Sequence, residues 1–181
     1  QPVSDLLSRV LGAAAAAQFD LALDQTMDQG FTVTTTAGTL ADTAVRVAVT
    51  ASALPELAYG CGYYLRTQAH MSFAWERAGG FQVRVPVGGL PALSVPKLAL
   101  SKKARWTYYQ NVCTQSYSMW WWDWARWERE IDWMALWGVN LVLAYTGQEE
   151  VFRRVYNRSN SPSPSQTLTP QPSLQPSAAS A

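Results

Sequence analysis

Two adjoining stretches decide the fold: Asp123-Trp-Ala-Arg-Trp-Glu-Arg-Glu-Ile-Asp-Trp-Met-Ala-Leu-Trp-Gly138, then Asn140-Leu-Val-Leu-Ala-Tyr145. The first reads as a helix with both ends marked. Asp123 can accept from the unpaired N–H groups of a first turn, and Gly138 can take the left-handed backbone of a helix stop. Trp124, Trp127, Ile131 and Met134 recur at spacings of three and four, which predicts a buried stripe. Arg126 and Glu130 form an i,i+4 pair on another face. The second stretch is a nearly continuous apolar run, the pattern of a strand buried on both faces.

Upstream, Trp106-Thr-Tyr-Tyr-Gln-Asn-Val112 is a run of strand formers. Downstream, Thr146 can cap a second helix, with Glu149 and Glu150 in a first turn whose dipole favours them. Strand, helix, strand, helix start is one and a half βα units. A (β/α)8 barrel needs eight, in about 250 residues.

Residues 1 to 100 read differently. Ser4 can cap a short helix through Val10 that stops at Gly12. Phe31 to Thr36 and Ala44 to Thr50 alternate with period two and predict strands. Pro55 suits the first turn of a helix through Leu65, with Leu57, Cys61 and Tyr64 or Leu65 on one face. Ser72 to Trp75 and Phe81 to Val85 predict two strands around a Gly79-Gly80 turn. This is a small α+β domain. Pro86 to Lys103 reads as a Pro-rich linker. Residues 157 to 181 are almost entirely Ser, Pro, Gln, Thr, Asn and Ala, and are expected to be disordered, since they cannot bury enough apolar surface. Asn157-Arg-Ser159 is a glycosylation sequon and is expected at the surface.

Composition removes several functions. The 181 residues carry 14 basic and 13 acidic side chains, a net charge of +1. Such a balance makes no field to draw in nucleic acid or an anionic membrane. No apolar run is long enough to span a bilayer. The run Ala13 to Ala17 is too short, and too poor in flanking basic residues, for a signal peptide. Beginning at Gln1 rather than Met, the chain reads as a processed or excised product. Two cysteines, Cys61 and Cys113, make neither a disulfide framework nor a metal-ligand spacing, and they are not expected to pair. With one histidine, His70, a zinc site or a Ser-His hydrolase is hard to build. No cofactor is implied.

Eight of the nine tryptophans fall between Trp106 and Trp137, which suits either a dense core or a wall that stacks on sugar rings. Within and beside this cluster, Tyr108-Tyr-Gln-Asn-Val-Cys-Thr-Gln-Ser-Tyr117, Trp122 to Leu136 and Gly147-Gln-Glu149 closely resemble the α-N-acetylglucosaminidases, glycoside hydrolase family 89. The resemblance is dense over residues 106 to 156 and loose over 1 to 100. It departs from the family pattern at Trp120 and Trp137, and at Tyr145-Thr146, where the family has Trp-Ser.

The resemblance implies a small N-terminal domain followed by the start of a catalytic (β/α)8 barrel. It implies removal of terminal α-linked N-acetylglucosamine, for example from heparan sulfate, by a lysosomal or secreted enzyme. Such retaining enzymes use two carboxylates about 5–5.5 Å apart. In the family both are glutamates on later barrel strands, absent here, so the chain reads as a truncated and inactive form. The positions matching the family's terminal-sugar pocket are Asn111, Cys113 and Tyr117 after the first strand, and Gln148 and Glu149 after the second. An amide and a phenol can hydrogen-bond hydroxyls and an acetamido group, while a small thiol lets the ring approach. The alternative is an aromatic-rich carbohydrate-binding module without catalysis.

Overall fold

The computed structural model describes residues 2–38, 44–75, 78–143 and 148–158. It divides into two compact units, residues 1–143 and 144–181.

The first unit opens with helices α1 (Pro2–Leu11) and α2 (Ala13–Ala16). Helix α1 starts three residues earlier than a Ser4 cap predicts, because Pro2 already supplies a helix-ready φ. Its Val3, Leu6 and Leu7 share one face and are buried. Strands β1 (Phe19–Leu23), β2 (Gly30–Thr36) and β3 (Arg46–Ala51) follow, then helix α3 (Leu54–Thr67) with Pro55 in its first turn. Strands β4 (Ser72–Phe73) and β5 (Phe81–Gln82) pair across the Gly79-Gly80 turn. Strand β6 (Leu98–Ser101) completes a four-stranded sheet in the order β1-β3-β2-β6.

Two of these strands were not expected. Strand β1 is short and carries Asp20, which Arg46 of β3 clasps across the parallel pair. Strand β6 lies inside the Pro-rich segment read as a linker. Its Leu98 to Ser101 are antiparallel to Val33 to Gly30, so the linker reading is corrected at its end: residues 98–101 are a strand of the main sheet.

Helix α3 covers one sheet face. Leu57, Cys61, Tyr64 and Leu65 are all at most 1% exposed, against Phe31, Val33, Val47 and Val49. Burial of this kind stabilises by about 25 cal/mol per Å² of apolar area. His70 takes a left-handed backbone (φ 55°) in the turn after α3.

Past residue 101 come β7 (Tyr108–Tyr109), α4 (Thr114–Ser118), α5 (Trp124–Leu136) and β8 (Leu141–Val142). The caps of α5 are as expected. Asp123 accepts from the N–H of Arg126 at 2.8 Å. At the other end Gly138 has φ 76°, with Val139 N–H on Met134 O (3.0 Å) and Gly138 N–H on Ala135 O (3.1 Å). These two bonds form a Schellman stop.

The family-like stretch does not stand apart from the small domain. Helix α5 lies on α3, and Leu136 joins the core of the sheet. Arg9 of α1 grips Asp132 through two bonds, 3.0 and 2.6 Å. Arg66 of α3 donates to Leu136 O at 2.7 Å, and Lys102 donates to Gly138 O at 3.1 Å. The indole N–H groups of Trp133 and Trp137 both donate to Phe73 O, at 3.2 and 2.9 Å. These contacts join the stretches before and after residue 100 within the compact unit 1–143.

In the second unit, α6 (Gln148–Arg158) carries Val151, Phe152, Val155 and Tyr156, all exposed. Glu150 pairs with Arg153 and Arg154, each at 2.7 Å, and these guanidiniums hold its pKa down to about 2. The tail was expected to lose order from residue 157, yet Asn157 and Arg158 continue the helix. Thr146 and residues 159–181 lie outside the described residues.

Both thiols are free, Cys61 buried and Cys113 exposed. Burial pushes the Cys61 thiol well above its ordinary pKa. The thiolate is the reactive form. In native protein a maleimide should therefore modify one thiol, Cys113, and reach Cys61 only after denaturant is added. Intact mass before and after unfolding checks this; two slow thiols, or none even when unfolded, would overturn it.

Candidate substrate-binding site at the strand ends

Strands β7 and β8 are parallel, with Tyr108 opposite Leu141 and Tyr109 opposite Val142. Three of the five pocket candidates follow the carboxyl end of β7 within eight residues. Asn111 Oδ1 accepts from the backbone N–H of Cys113 at 2.8 Å, and Asn111 O accepts from Thr114 N–H at 3.2 Å. This is the local turn that asparagine side chains favour. It turns the chain into α4, and Cys113 stands at the helix start. Tyr117 lies one turn on and is 84% exposed. Asn111, Cys113 and Tyr117 thus share one loop and short helix, all facing solvent. Gln148 and Glu149 open α6 in the other unit, and Gln148 is exposed.

The support beneath this loop was not foreseen. Tyr109 donates its hydroxyl to Glu130 Oε1 at 2.8 Å, and Arg126 reaches Glu130 Oε2 at 3.2 Å. Glu130 is 1% exposed, so its charge needs both partners. Burial, and then Glu130, raise the Tyr109 pKa, so the phenol keeps its proton and donates. The Arg126 guanidinium sits 3.8 Å from the Trp122 ring centre, and Trp122 meets Trp127 and Trp75 edge-on. Behind the loop, Met119 is buried and accepts at Sδ from Gln110 Nε2 at 3.3 Å. The sequence carried one signal for this network: the spacing of Arg126 and Glu130, taken as an ordinary helix-face pair.

The expected stripe holds at Met134, which is buried, is half-buried at Trp127, and fails at Trp124 and Ile131. Trp124 is 68% and Ile131 45% exposed, whereas Glu130, Asp132, Met134 and Leu136 are the buried residues of α5. The buried residues lie on two sides of the helix about 200° apart, Glu130 with Met134 and Asp132 with Leu136; Tyr109 and Arg126 meet Glu130, and Arg9 meets Asp132. The expected double-sided burial of the second strand also fails among the described residues: Leu141 and Val142 are 44% and 40% exposed. Trp120 and Trp121 face solvent near α4, so the cluster divides between interior and surface.

Among the described residues no group of acids, His and Cys could hold a metal ion, and no helix is long and apolar enough to cross a membrane.

Residues 1–92 match the model of the α-N-acetylglucosaminidase N-terminal domain. Residues 107–173 match the tim-barrel domain of the same proteins. The chain belongs to the α-N-acetylglucosaminidase family. It corresponds to the N-terminal part of these glycoside hydrolases. It is 44% identical over 157 residues to human α-N-acetylglucosaminidase, covering 85% of this chain and 20% of the human protein. Its fold matches a family 89 glycoside hydrolase from Clostridium perfringens bound to PUGNAc, with a TM-score of 0.69 and 30% identity over 87% of this chain and 17% of that one. The same figures hold for a variant of that enzyme with two glutamates changed to glutamine, bound to its substrate GlcNAc-α-1,4-galactose. The chain therefore spans about a fifth of the human relative and less of the bacterial one.

Proposed function

We propose that this chain forms one wall of the terminal-sugar pocket of an exo-acting, retaining α-N-acetylglucosaminidase. In this reading the small α+β domain leads into the first one and a half βα units of a (β/α)8 barrel. Asn111, Cys113, Tyr117, Gln148 and Glu149 contact the sugar, and the carboxylates of the reaction come from later strands. The substrates are glycoconjugates of the heparan sulfate type, and the enzyme works in a lysosome or outside the cell. One observation carries the proposal. Asn111 and Cys113 are exposed on the loop leaving the carboxyl end of a parallel strand, the end at which barrel enzymes of this architecture build their sites. The chain alone is inactive. A second reading has support in the exposed Tyr117, Trp120 and Trp121: an aromatic surface that binds sugar without cleaving it. Saturable binding of N-acetylglucosamine by the chain, without turnover, would favour that reading.

The wall is tested in a chimera in which residues 2–158 replace the matching segment of the human relative. The chimera should cleave a chromogenic α-N-acetylglucosaminide. Asn111→Ala in it should lower kcat/KM by about tenfold or more, since one lost hydrogen bond costs roughly 0.5–1.5 kcal/mol and an unpaired buried partner costs more. An active chimera indifferent to Asn111→Ala and Cys113→Ala would remove these residues from the pocket.

A further inference from the structure

A cavity of about 400 Å³ opens where the first turn of α3 meets the chain entering β7 and β8. Met27, Pro55, Glu56, Arg105, Trp106 and Asn140 line it. Asn140 Oδ1 accepts from the N–H of Thr107 at 2.7 Å, and these two residues directly precede β8 and β7. The cavity therefore lies at the amino ends of the parallel pair, whereas the Asn111 loop leaves the carboxyl end.

Three features of the lining decide what it can hold. Glu56 is 3% exposed, and its Oε1 accepts from Gln29 at 3.0 Å with Lys102 3.7 Å away. Among the described residues no donor reaches Oε2. Nor is Oε2 sealed in: the sealed side-chain atom without a partner is Gln110 Oε1. Since Glu56 lines the cavity, Oε2 opens into it, and a buried carboxylate oxygen left unfilled calls for a donor. Trp106, 54% exposed, is the second feature, a flat apolar wall extended by Met27 and Pro55. The third is the exposed Arg105, whose guanidinium stands 5.0 Å from the Trp106 ring centre and carries donors beside the wall. This platform is held in place, because the amides of Gln29 and Asn140 both donate to Arg105 O, at 3.2 and 2.9 Å.

We propose that this cavity binds a neutral pyranose sugar at a site separate from the pocket at the strand ends. One hydroxyl donates to Glu56 Oε2, another accepts from Arg105, and the C–H face of the ring packs on Trp106. Hydroxyls donate and accept, and a pyranose has an apolar face, so one ligand meets all three features. A charged ligand does not. An anion would stand beside the buried Glu56 carboxylate, and a cation near both Arg105 and Lys102. Glu56 is the one acid among the described lining residues, so the cavity binds a glycoside without the pair of carboxylates that cleaves it.

The full chain, isotope-labelled in nitrogen, is titrated with glucose, galactose and N-acetylglucosamine. The indole N–H resonance that Trp106→Phe deletes should shift and saturate with at least one of them. Trp106→Ala and Arg105→Ala, both at exposed positions, should weaken that sugar's Kd by about tenfold or more, read by saturation-transfer NMR. Glucuronate and glucosamine, which each carry a charge, should bind at least about fivefold more weakly than the tightest neutral sugar. No shift with any of the three, or a Kd unchanged in Trp106→Ala, would overturn the proposal. Glucuronate binding more tightly than every neutral sugar would make this an anion site and overturn it too. Binding lost in Tyr117→Ala and kept in Trp106→Ala would put the sugar on the strand-end surface instead.

Discussion

Purified chain mixed with a chromogenic α-N-acetylglucosaminide should release chromophore no faster than buffer. Retaining cleavage needs a protonated acid at the leaving oxygen and a carboxylate on the other side of the sugar. Among the described residues several acids are committed elsewhere. Glu130 is held by Tyr109 and Arg126, Asp132 by Arg9, and Asp123 by the first turn of α5. Glu56, 3% exposed, accepts from Gln29 at 3.0 Å and lies 3.7 Å from Lys102. Glu150 fails by sign. A general acid needs a pKa raised toward neutrality, and its two arginines pull Glu150 down to about 2, so it is ionised at working pH. Glycosidases exceed the uncatalysed rate by at least about a millionfold, which leaves a wide margin between the two outcomes. Turnover that disappears on Glu149→Gln would sink this expectation and place a working carboxylate inside these residues.

Where local chemistry and the final packing agree, the sequence could be read. Phe31 to Thr36 alternate because one face of β2 meets α3, and Pro55, Asp123 and Gly138 mark helix ends through their own backbone and side-chain chemistry. Where tertiary partners decide, it could not. Strand β1 has one polar residue in five and pairs in parallel with a strand more than twenty residues on, a contact no local pattern announces. Strand β6 is held in its sheet by β2, among prolines that locally argue against it. The α5 misreading has a sharper cause. Its tryptophans and isoleucine gave a strong apolar period, but Glu130 and Asp132, about 200° apart on the helix, are buried as well, because their partners come from β7, α1 and the helix itself. At the candidate site the motif located Asn111, Cys113 and Tyr117 together. It could not indicate that the Asn111 oxygen shapes its own loop, or that Tyr109 anchors the strand end through a buried acid.

The seam between α3 and α5 should be the most fragile place in residues 1–143. At Gly62 an added β-carbon would stand 2.1 Å from Leu136 O and 2.9 Å from the Leu136 α-carbon. Both are backbone atoms, so no side chain can rotate away, and the helices must separate. Separation would strain the Arg66 bond to Leu136 O and the two indole bonds to Phe73 O. Two effects oppose each other in Gly62→Ala. Alanine favours a helix over glycine by about 1 kcal/mol. Overpacking a close contact costs about 1–3 kcal/mol, and more where backbone must move. We expect the clash to win by about 2 kcal/mol, which lowers Tm by roughly 4–8 °C for a unit of this size. Trp124→Ala, at a side chain 68% exposed, should shift stability by no more than about 0.5 kcal/mol. The pattern of loosening is the stronger check. Leu136 belongs to the same core as Val33, Val47 and Val49, so amide exchange in Gly62→Ala should speed up in α5 and in β2 and β3 together. Faster exchange confined to α5 would mean that the sheet and α3 hold their core without α5. A Tm within about 1 °C of the parent would mean that the two helices do not meet at Gly62.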